Sequence, residues 1–489
     1  MQTRRACVKK RCIPKRATRS AVVTRNAISH TLSPKEVKVV VAGGGLGGLF
    51  LAICLNKRGF DATVVEKTKQ FRAYGGPIQL ASNGMSVLKA VSESLYKDVQ
   101  DNSRPFWGTR SGIKDGLTAK WMFRFDAITE IPRQRELPFA VCIDRSDLQK
   151  CLLAEINRIK SSAVDEEYGQ TQVLMGTSVE SYSEDETGTV SVMLNDGTEL
   201  RADILVGADG IWSSVRARMF GEPINERGSR SNASDTGYRL FSGLPIFESP
   251  DYFDIGYCAY VGPEHYFVKC PDRCGRMQWY AFIKSEPYDR PIEEPLEYLM
   301  DIFESWSPEI KELLAATECT DIKQRHLWDR SPCILKGWSD GHVTLLGDSC
   351  HATMPNIGQG TGLAFEDAFL LVELIESASS LAELPMLLRT YYEKRIIRTA
   401  TIQGLGRMNS EAIKILTPLL PIKPLVDFVV SPFLPLVFQA QFGYCYAFSP
   451  AKETVVKSIS DANRMQQRHS LESESSWKDR LGKDFGPFA

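Results

Sequence analysis

Apolar and polar positions change rhythm several times along the chain. Val37 to Ala42 is a nearly continuous β-branched run, the pattern of a strand buried on both faces. Glycines follow at once, and Leu46 to Arg58 (LGGLFLAICLNKR) has helical character, with Gly59 placed to end it. A second strand, Ala62 to Val65, leads to Glu66. Strand, turn, helix and strand thus fit within thirty residues, the opening of a Rossmann-type lobe. From Asp144 the segment RSDLQKCLLAEINRI carries apolar residues at helical spacing and predicts an amphipathic helix starting at Asp144 or Ser146. Between Val173 and Ile204 the alternation in TVSVML and the NDG turn at Asn195 to Gly197 predict a hairpin. From Gly237 to Ile283, runs such as HYFVKC and MQWYAFI predict a sheet-rich second lobe. After Val343 the strand, loop and helix pattern returns.

Composition leaves that outline intact. The chain has 489 residues, 43% hydrophobic and 24% charged, enough for a large core shared by two joined lobes. A formal charge of −1 argues neither for nor against nucleic acid, and no nucleic-acid partner is expected. The charge is unevenly spread, with ten basic and no acidic residues in the first 35. That stretch, with Ser, Thr and Ala scattered through it, reads as an organelle transit peptide over residues 1–35. A simple basic tail is the alternative. No apolar run of signal-peptide length precedes the first strand, so direct secretion is not expected. Composition does not separate plastid from mitochondrion. The 12 cysteines show no CxxC pair, which fits buried thiols in a reducing compartment. Cys350 adjoins His351, but no paired-ligand spacing supports a metal site, and none is expected.

Three motifs carry the candidate chemistry. In VVVAGGGLGGL, Gly43 permits a tight turn, Gly45 lets backbone approach a pyrophosphate and Gly48 lets the helix pack on the strand. The helix start offers free N–H groups and a positive dipole end to phosphates. Glu66, at the end of the second strand, sits where a ribose hydroxyl would be bound and would repel a 2′-phosphate. The second motif, DILVGADGIWSSVR, runs a strand into Asp209 and Gly210, with Ser213 and Ser214 opening a helix; by itself this reads equally as a capped turn. The third is VTLLGDSCHATMP, continuing as NIGQGTGLAFEDAFLLVELI. Here Asp348 ends a strand, and the loop Gly358 to Gly362 feeds a long helix whose N–H groups favour negative charge.

In this order and spacing, GxGxxG, DG and GD resemble the group A FAD-dependent monooxygenases, the para-hydroxybenzoate hydroxylase-like family. More narrowly, VVVAGGGLGGL, GGPIQLASN, MQWYAF and VTLLGDSCHATMPNIGQG resemble its zeaxanthin epoxidase branch, over about Val37 to Arg398. The fold so implied is α/β: a Rossmann-type FAD-binding lobe, an inserted β-sheet-rich substrate lobe at about 228–335, and a helical C-terminal region. The resemblance implies pyrophosphate contacts at Gly43, Gly45 and Gly48, ribose at Glu66, and a cofactor contact at Arg145. It further implies Asp348 at the pyrophosphate–ribityl region and Pro355, Gly358 and Gly360 beside the isoalloxazine, with Asp209 acting indirectly. Taken alone, Arg145 also reads as a helix-cap salt bridge; Arg72 and Arg216 are weaker candidates. Also implied are O2 and NADPH, or electrons from reduced ferredoxin, as cosubstrates. The oxygen would be carried at the flavin C4a position and passed to a xanthophyll double bond, so no catalytic side chain is nominated. Trp279, Tyr280 and Phe282 are candidate tunnel residues, though an alternating strand also places some of them in the core. The GQGTGLAFED loop departs from the usual GQGG form.

Within residues 400–451, Phe428 to Ala451 has no charged residue but is broken by Pro432 and Pro435. A hydrophobic patch dipping into a membrane surface is the preferred reading, suited to drawing a carotenoid from a thylakoid or envelope membrane in a plastid. A buried helical cap over the tunnel and a true span are the alternatives. Residues 452–489 form a polar tail, with no room for the forkhead-associated domain of plant zeaxanthin epoxidases, and a trimmed paralogue could act on another xanthophyll. Two other functions compete with epoxidation: an aromatic or quinone hydroxylase, and a non-redox carotenoid isomerase or carrier that binds flavin.

Overall fold

The computed structural model describes residues 32–71, 76, 78–161, 168–223, 233–262, 264–286, 290–416 and 434–450. Most of the transit segment, Arg72 and the polar tail lie outside the described residues.

The first lobe is built on a six-stranded sheet. Its centre is Lys38–Ala42, whose Val39, Val40 and Val41 are all buried, as a parallel strand covered on both faces requires. It pairs in parallel with Asp61–Glu66 on one side and Ile204–Gly207 on the other. Thr171–Met175 and Val343–Leu345 extend the sheet in parallel, and Ser339–Asp340 closes one edge antiparallel. The helix Leu46–Lys57 shows little amphipathic pattern because it is buried on nearly every side. Its Phe50 packs with ring centroids 4.2 Å apart, tilted, against Phe365 of the long helix Gly360–Glu376. Gly59, at φ +84°, makes the turn out of the helix, a conformation that suits glycine.

One sequence expectation is redistributed. Thr171–Met175 belongs to the parallel sheet and not to a hairpin. The hairpin is Val190–Leu194 with Glu199–Ala202, turning at Gly197 with φ +85°, and Val179–Glu184 adds a third strand. The predicted amphipathic helix is Arg145–Ser161.

The second lobe is a seven-stranded sheet. Five strands come from Ala233–Gly243 through Lys323–Arg330. Two others, Arg110–Asp115 and Trp121–Arg124, come from well before residue 228, because Arg110–Asp115 pairs in parallel with Ile255–Val261. Helices Pro295–Ile302 and Pro308–Ala315 cover one face. The other face looks toward the first lobe.

Helix Leu434–Cys445 packs its Phe438 and Phe442 on Phe123 and Phe125 of the second lobe. Arg398 donates to the carbonyls of Tyr444 and Cys445 at its end. This segment is therefore docked as a cap on the outside of the substrate lobe, while Pro435, Leu436 and Val437 remain exposed. Among the described residues no helix is long and apolar enough to cross a membrane.

Candidate cofactor site

The four motif positions that matter most leave the carboxyl ends of neighbouring parallel strands: Gly43 after Ala42, Glu66 at its strand's end, Asp209 after Gly207, and Asp348 after Leu345. This is the edge at which open α/β sheets bind ligands. Against it lies a cavity of about 1000 Å³ lined by Gly45, Arg145, Asp348, Pro355, Gly358 and Gly360, six of the ten residues singled out in the sequence. The other four stand behind that lining.

The glycines differ in their physical roles. A Cβ on Gly43, at φ +108°, would lie 2.5 Å from the Ala208 carbonyl oxygen, so this glycine lets the first turn pass against the second motif. A Cβ on Gly48 would lie 2.0 Å from the Gly43 oxygen, so it lets the helix start beneath the turn. On Gly45 a Cβ would meet nothing within 4 Å. That open space lies directly over a helix N-terminus, a cradle suited to a pyrophosphate.

Glu66 accepts from the N–H groups of Gly44 at 2.8 Å and Thr68 at 2.9 Å. Its carboxylate thus braces the glycine turn from the side and keeps further lone pairs available for hydroxyl donors. Asp209 accepts from Ser214 at 2.8 Å and Val215 at 3.4 Å, capping helix Ser214–Phe220 together with Ser213. Its Oδ1 is buried without a partner, and burial raises its carboxyl above the ordinary range. Arg216 is committed to the protein: it pairs with Glu222 at 3.2 Å and donates to the Ser349 carbonyl.

Arg145 opens its helix beside the glycine turn, where Gln149, one turn on, donates to the Gly44 carbonyl at 3.4 Å. Burial and the nearby Arg325 lower its pKa, while Asp348, Glu66 and Asp144 pull it up. It therefore lies within electrostatic reach of carboxylates from the first and third motifs. Asp348 opens onto the cavity yet is ringed by protein; loss of water raises its carboxyl, against the pull of His351, Arg145 and Arg325.

On the cavity's far wall, the strand Met277–Lys284 alternates. Gln278, Tyr280 and Phe282 face the cavity, whereas Trp279 is fully buried on the helix-covered face and donates to Thr317 Oγ1 at 2.9 Å. Of the three aromatic tunnel candidates, Trp279 is thus a core residue. Trp279→Phe is expected to cost about 1–2 kcal/mol in chemical denaturation, from the lost hydrogen bond and a partly filled gap, with flavin affinity unchanged. The same wall is completed by Leu240, Tyr257, Val268 and Cys270. Sequence reading missed these residues, and also Gln79, whose Nε2 is buried without a partner beside Gly358. Strand alternation would have found the wall had the facing side been known.

Below the third motif lies a buried ionic network. Asp367 accepts from Gly347 N at 3.1 Å, pairs with His351 Nε2 at 2.6 Å, and accepts from Arg395 Nε at 2.6 Å. Glu366 accepts from Arg395 at 2.8 Å, Arg398 at 2.6 and 2.7 Å, and Asn83 at 2.6 Å; Asn83 also donates to Gln359 at 3.0 Å. The network therefore holds both the turn before Asp348 and the loop before Gly360. Cys350, His351 and Asp367 do come within 4.8 Å of one another. The Asp367 oxygens already serve three donors, and the Arg395 charge beside them opposes a bound cation.

Fold and site define a flavoprotein of the dinucleotide-binding α/β type. The chain belongs to the FAD binding domain family, which matches residues 36–403. It is 36% identical over 422 residues to the chloroplastic zeaxanthin epoxidase of Prunus armeniaca, covering 83% of this chain and 60% of that protein. To the spinach (Spinacia oleracea) zeaxanthin epoxidase it is 35% identical over 397 residues, covering 78% and 55%. The chain thus spans a little over half the length of the curated relatives it matches. Among solved structures it is similar to Klebsiella pneumoniae HpxO complexed with FAD and uric acid (TM-score 0.69, 22% identity, 84% and 98% covered). It is also similar to a salicylate hydroxylase substrate complex (TM-score 0.67, 19% identity, 86% and 98% covered). These two likenesses establish the fold.

Proposed function

We propose that the protein is an FAD-dependent monooxygenase that epoxidises a double bond of a xanthophyll, zeaxanthin or a close relative, using O2 and electrons from NADPH or reduced ferredoxin. The observation that carries this reading is the continuity of one cavity from the cofactor turns to the apolar wall of Leu240, Val268, Tyr280 and Phe282. The likeness to zeaxanthin epoxidases supports the choice of substrate class.

In this reading Gly43, Gly45 and Gly48 open the way for the pyrophosphate, Glu66 takes a ribose hydroxyl, and Arg145 and Asp348 hold the middle of the cofactor. Pro355, Gly358 and Gly360 flank the ring, and Asp209 acts through the helix it caps. The bound flavin supplies oxygen activation and transfer. The chain's own part is to hold the cofactor, align an electron-rich double bond along the apolar wall, and keep bulk water from the reacting atoms. No protein acid or base is required for the oxygen transfer itself. Pro435, Leu436 and Val437, exposed on a helix without charges, form a surface for contact with a plastid membrane from which such a substrate is drawn.

The test supplies the FAD-loaded protein with zeaxanthin in lipid micelles and a reductant, and analyses products by mass and absorption. Gain of one or two oxygen atoms with a shortened polyene absorption is expected. Hydroxylation of a phenol without epoxide formation, or an isomer of unchanged mass, would replace this reading by an aromatic hydroxylase or a non-redox carotenoid enzyme. Val268→Trp, filling the wall, is expected to raise KM for the xanthophyll about tenfold, the effect of about 1.4 kcal/mol of lost binding. The flavin absorbance should be unchanged.

A further inference from the structure

Among the described residues, Arg325 presents an uncommitted guanidinium to the cavity. It lies on the edge strand Lys323–Arg330, opposite Leu240, which in turn stands opposite Phe282. The three side chains form one row on the cavity face. Neighbouring arginines are tied to the protein: Arg330 to Glu222 and the Ile211 carbonyl, Arg407 to Asp329, and Arg239 to the Arg290 carbonyl. The Arg325 guanidinium is exposed to the cavity and makes no hydrogen bond or ion pair with a described residue. Its charge nevertheless acts on Asp348, Arg145 and Tyr280. It therefore stands where the cofactor floor meets the apolar wall.

We propose that Arg325 is the cation that faces the flavin ring and stabilises the negative charge the ring gains on reduction. Two electrons and one proton added to the neutral ring leave one negative charge, and the electrons come from the nicotinamide or ferredoxin donor already named. Where a bound ligand displaces water from the cavity, a guanidinium beside it acts on that charge more strongly than it would in bulk solvent. The N-terminus of helix Gly360–Glu376 adds to the effect from the other side, so Arg325 and the helix together bias the bound flavin toward its reduced form.

This inference rests on FAD occupying the cavity, and the experiment separates the two. FAD-loaded wild type, Arg325→Met and Arg325→Lys are compared for FAD stoichiometry, flavin reduction potential and the dissociation constant for sulfite, which adds to the ring as an anion. Arg325→Met is expected to keep one FAD per chain. It should lose about tenfold in preference for the reduced state, a potential lower by about 30 mV for a two-electron couple, and bind sulfite about tenfold more weakly. Arg325→Lys should restore most of both. A methionine variant that holds FAD with wild-type potential and sulfite affinity overturns the assignment, as does a lysine variant no better than methionine. A wild-type chain that takes up no FAD overturns the cofactor reading and this one with it.

Discussion

Gly45→Val is expected to weaken flavin binding about 100-fold while leaving the fold intact. Gly45 has an extended backbone, φ −71° and ψ −178°, which valine adopts without strain, and its Cβ direction is empty within 4 Å. The added side chain therefore meets no protein. It would occupy the space where the pyrophosphate must approach the start of helix Leu46–Lys57, and displacing a phosphate group from several N–H donors forfeits charge-assisted hydrogen bonds. A loss of about 100-fold in FAD affinity, about 3 kcal/mol, is expected by flavin fluorescence titration. The apoprotein melting temperature should match wild type. Gly48→Val is the control with the opposite signature: its Cβ would overlap the Gly43 oxygen, so the apoprotein itself should lose stability. A Gly45→Val variant that melts like wild type and binds FAD as tightly would show that the open cradle at Gly45 is not a phosphate site.

Arg395→Met should be the most destabilising change in the lobe, by about 3–5 kcal/mol at neutral pH, because it leaves Asp367 and Glu366 buried with fewer cations. The pH dependence identifies the cause. In the native protein burial pushes the Asp367 carboxyl up, but His351 and Arg395 overcome this and hold it at about 2. A depressed carboxyl contributes stability that is fully present above its unfolded pKa, near 4, and is lost as pH falls toward 2. His351 is raised well above its usual value, against burial, by Cys350 and Asp367. Its contribution is full below about 6.5 and is lost as pH rises through the raised value. The wild-type network is therefore complete between about pH 4 and 6.5. Removing Arg395 lifts the Asp367 carboxyl, so the cost of the variant should be large at pH 7 and should shrink below pH 4, where a protonated Asp367 needs no guanidinium. Denaturation of the apoprotein at the two pH values checks this. A cost independent of pH would assign the loss to packing against Phe448, which lies 5.5 Å from the Arg395 guanidinium.

The parts of this molecule legible in the sequence are those whose cause is local. Val37 to Ala42 reads as a doubly buried strand, and GGGLGG as a tight turn into a helix, because β-branched packing and the missing Cβ act within a few residues. The same holds for Glu66 at a strand end and for Gly59 and Gly197, whose positive φ is set by their own turns. Six of the ten site residues line one cavity: the parallel sheet aligns the strand ends from which the glycine and GD motifs leave, and Arg145 enters from Val141–Ile143 of a separate three-stranded sheet.

What only the tertiary structure decided is everything that depends on which face of an element meets which neighbour. Alternation marks Gln278, Tyr280 and Phe282 as one set and Trp279 as another, but only the helices packed behind the sheet make Trp279 core and the others cavity wall. No local pattern marks the place of Arg325 or of Arg110–Asp115; pairing with the distant Leu240 and Ile255–Val261 sets them. The C-terminal apolar segment reads as membrane patch, cap or span from its composition. Its docking through Phe438, Phe442 and the Arg398 clasp is a long-range contact that hydrophobic content does not encode. The motifs are local backbone chemistry, and so the sequence by itself determined a dinucleotide site; the wall, its cation and its cap are pairwise contacts between distant segments, and these exist only once the chain has folded.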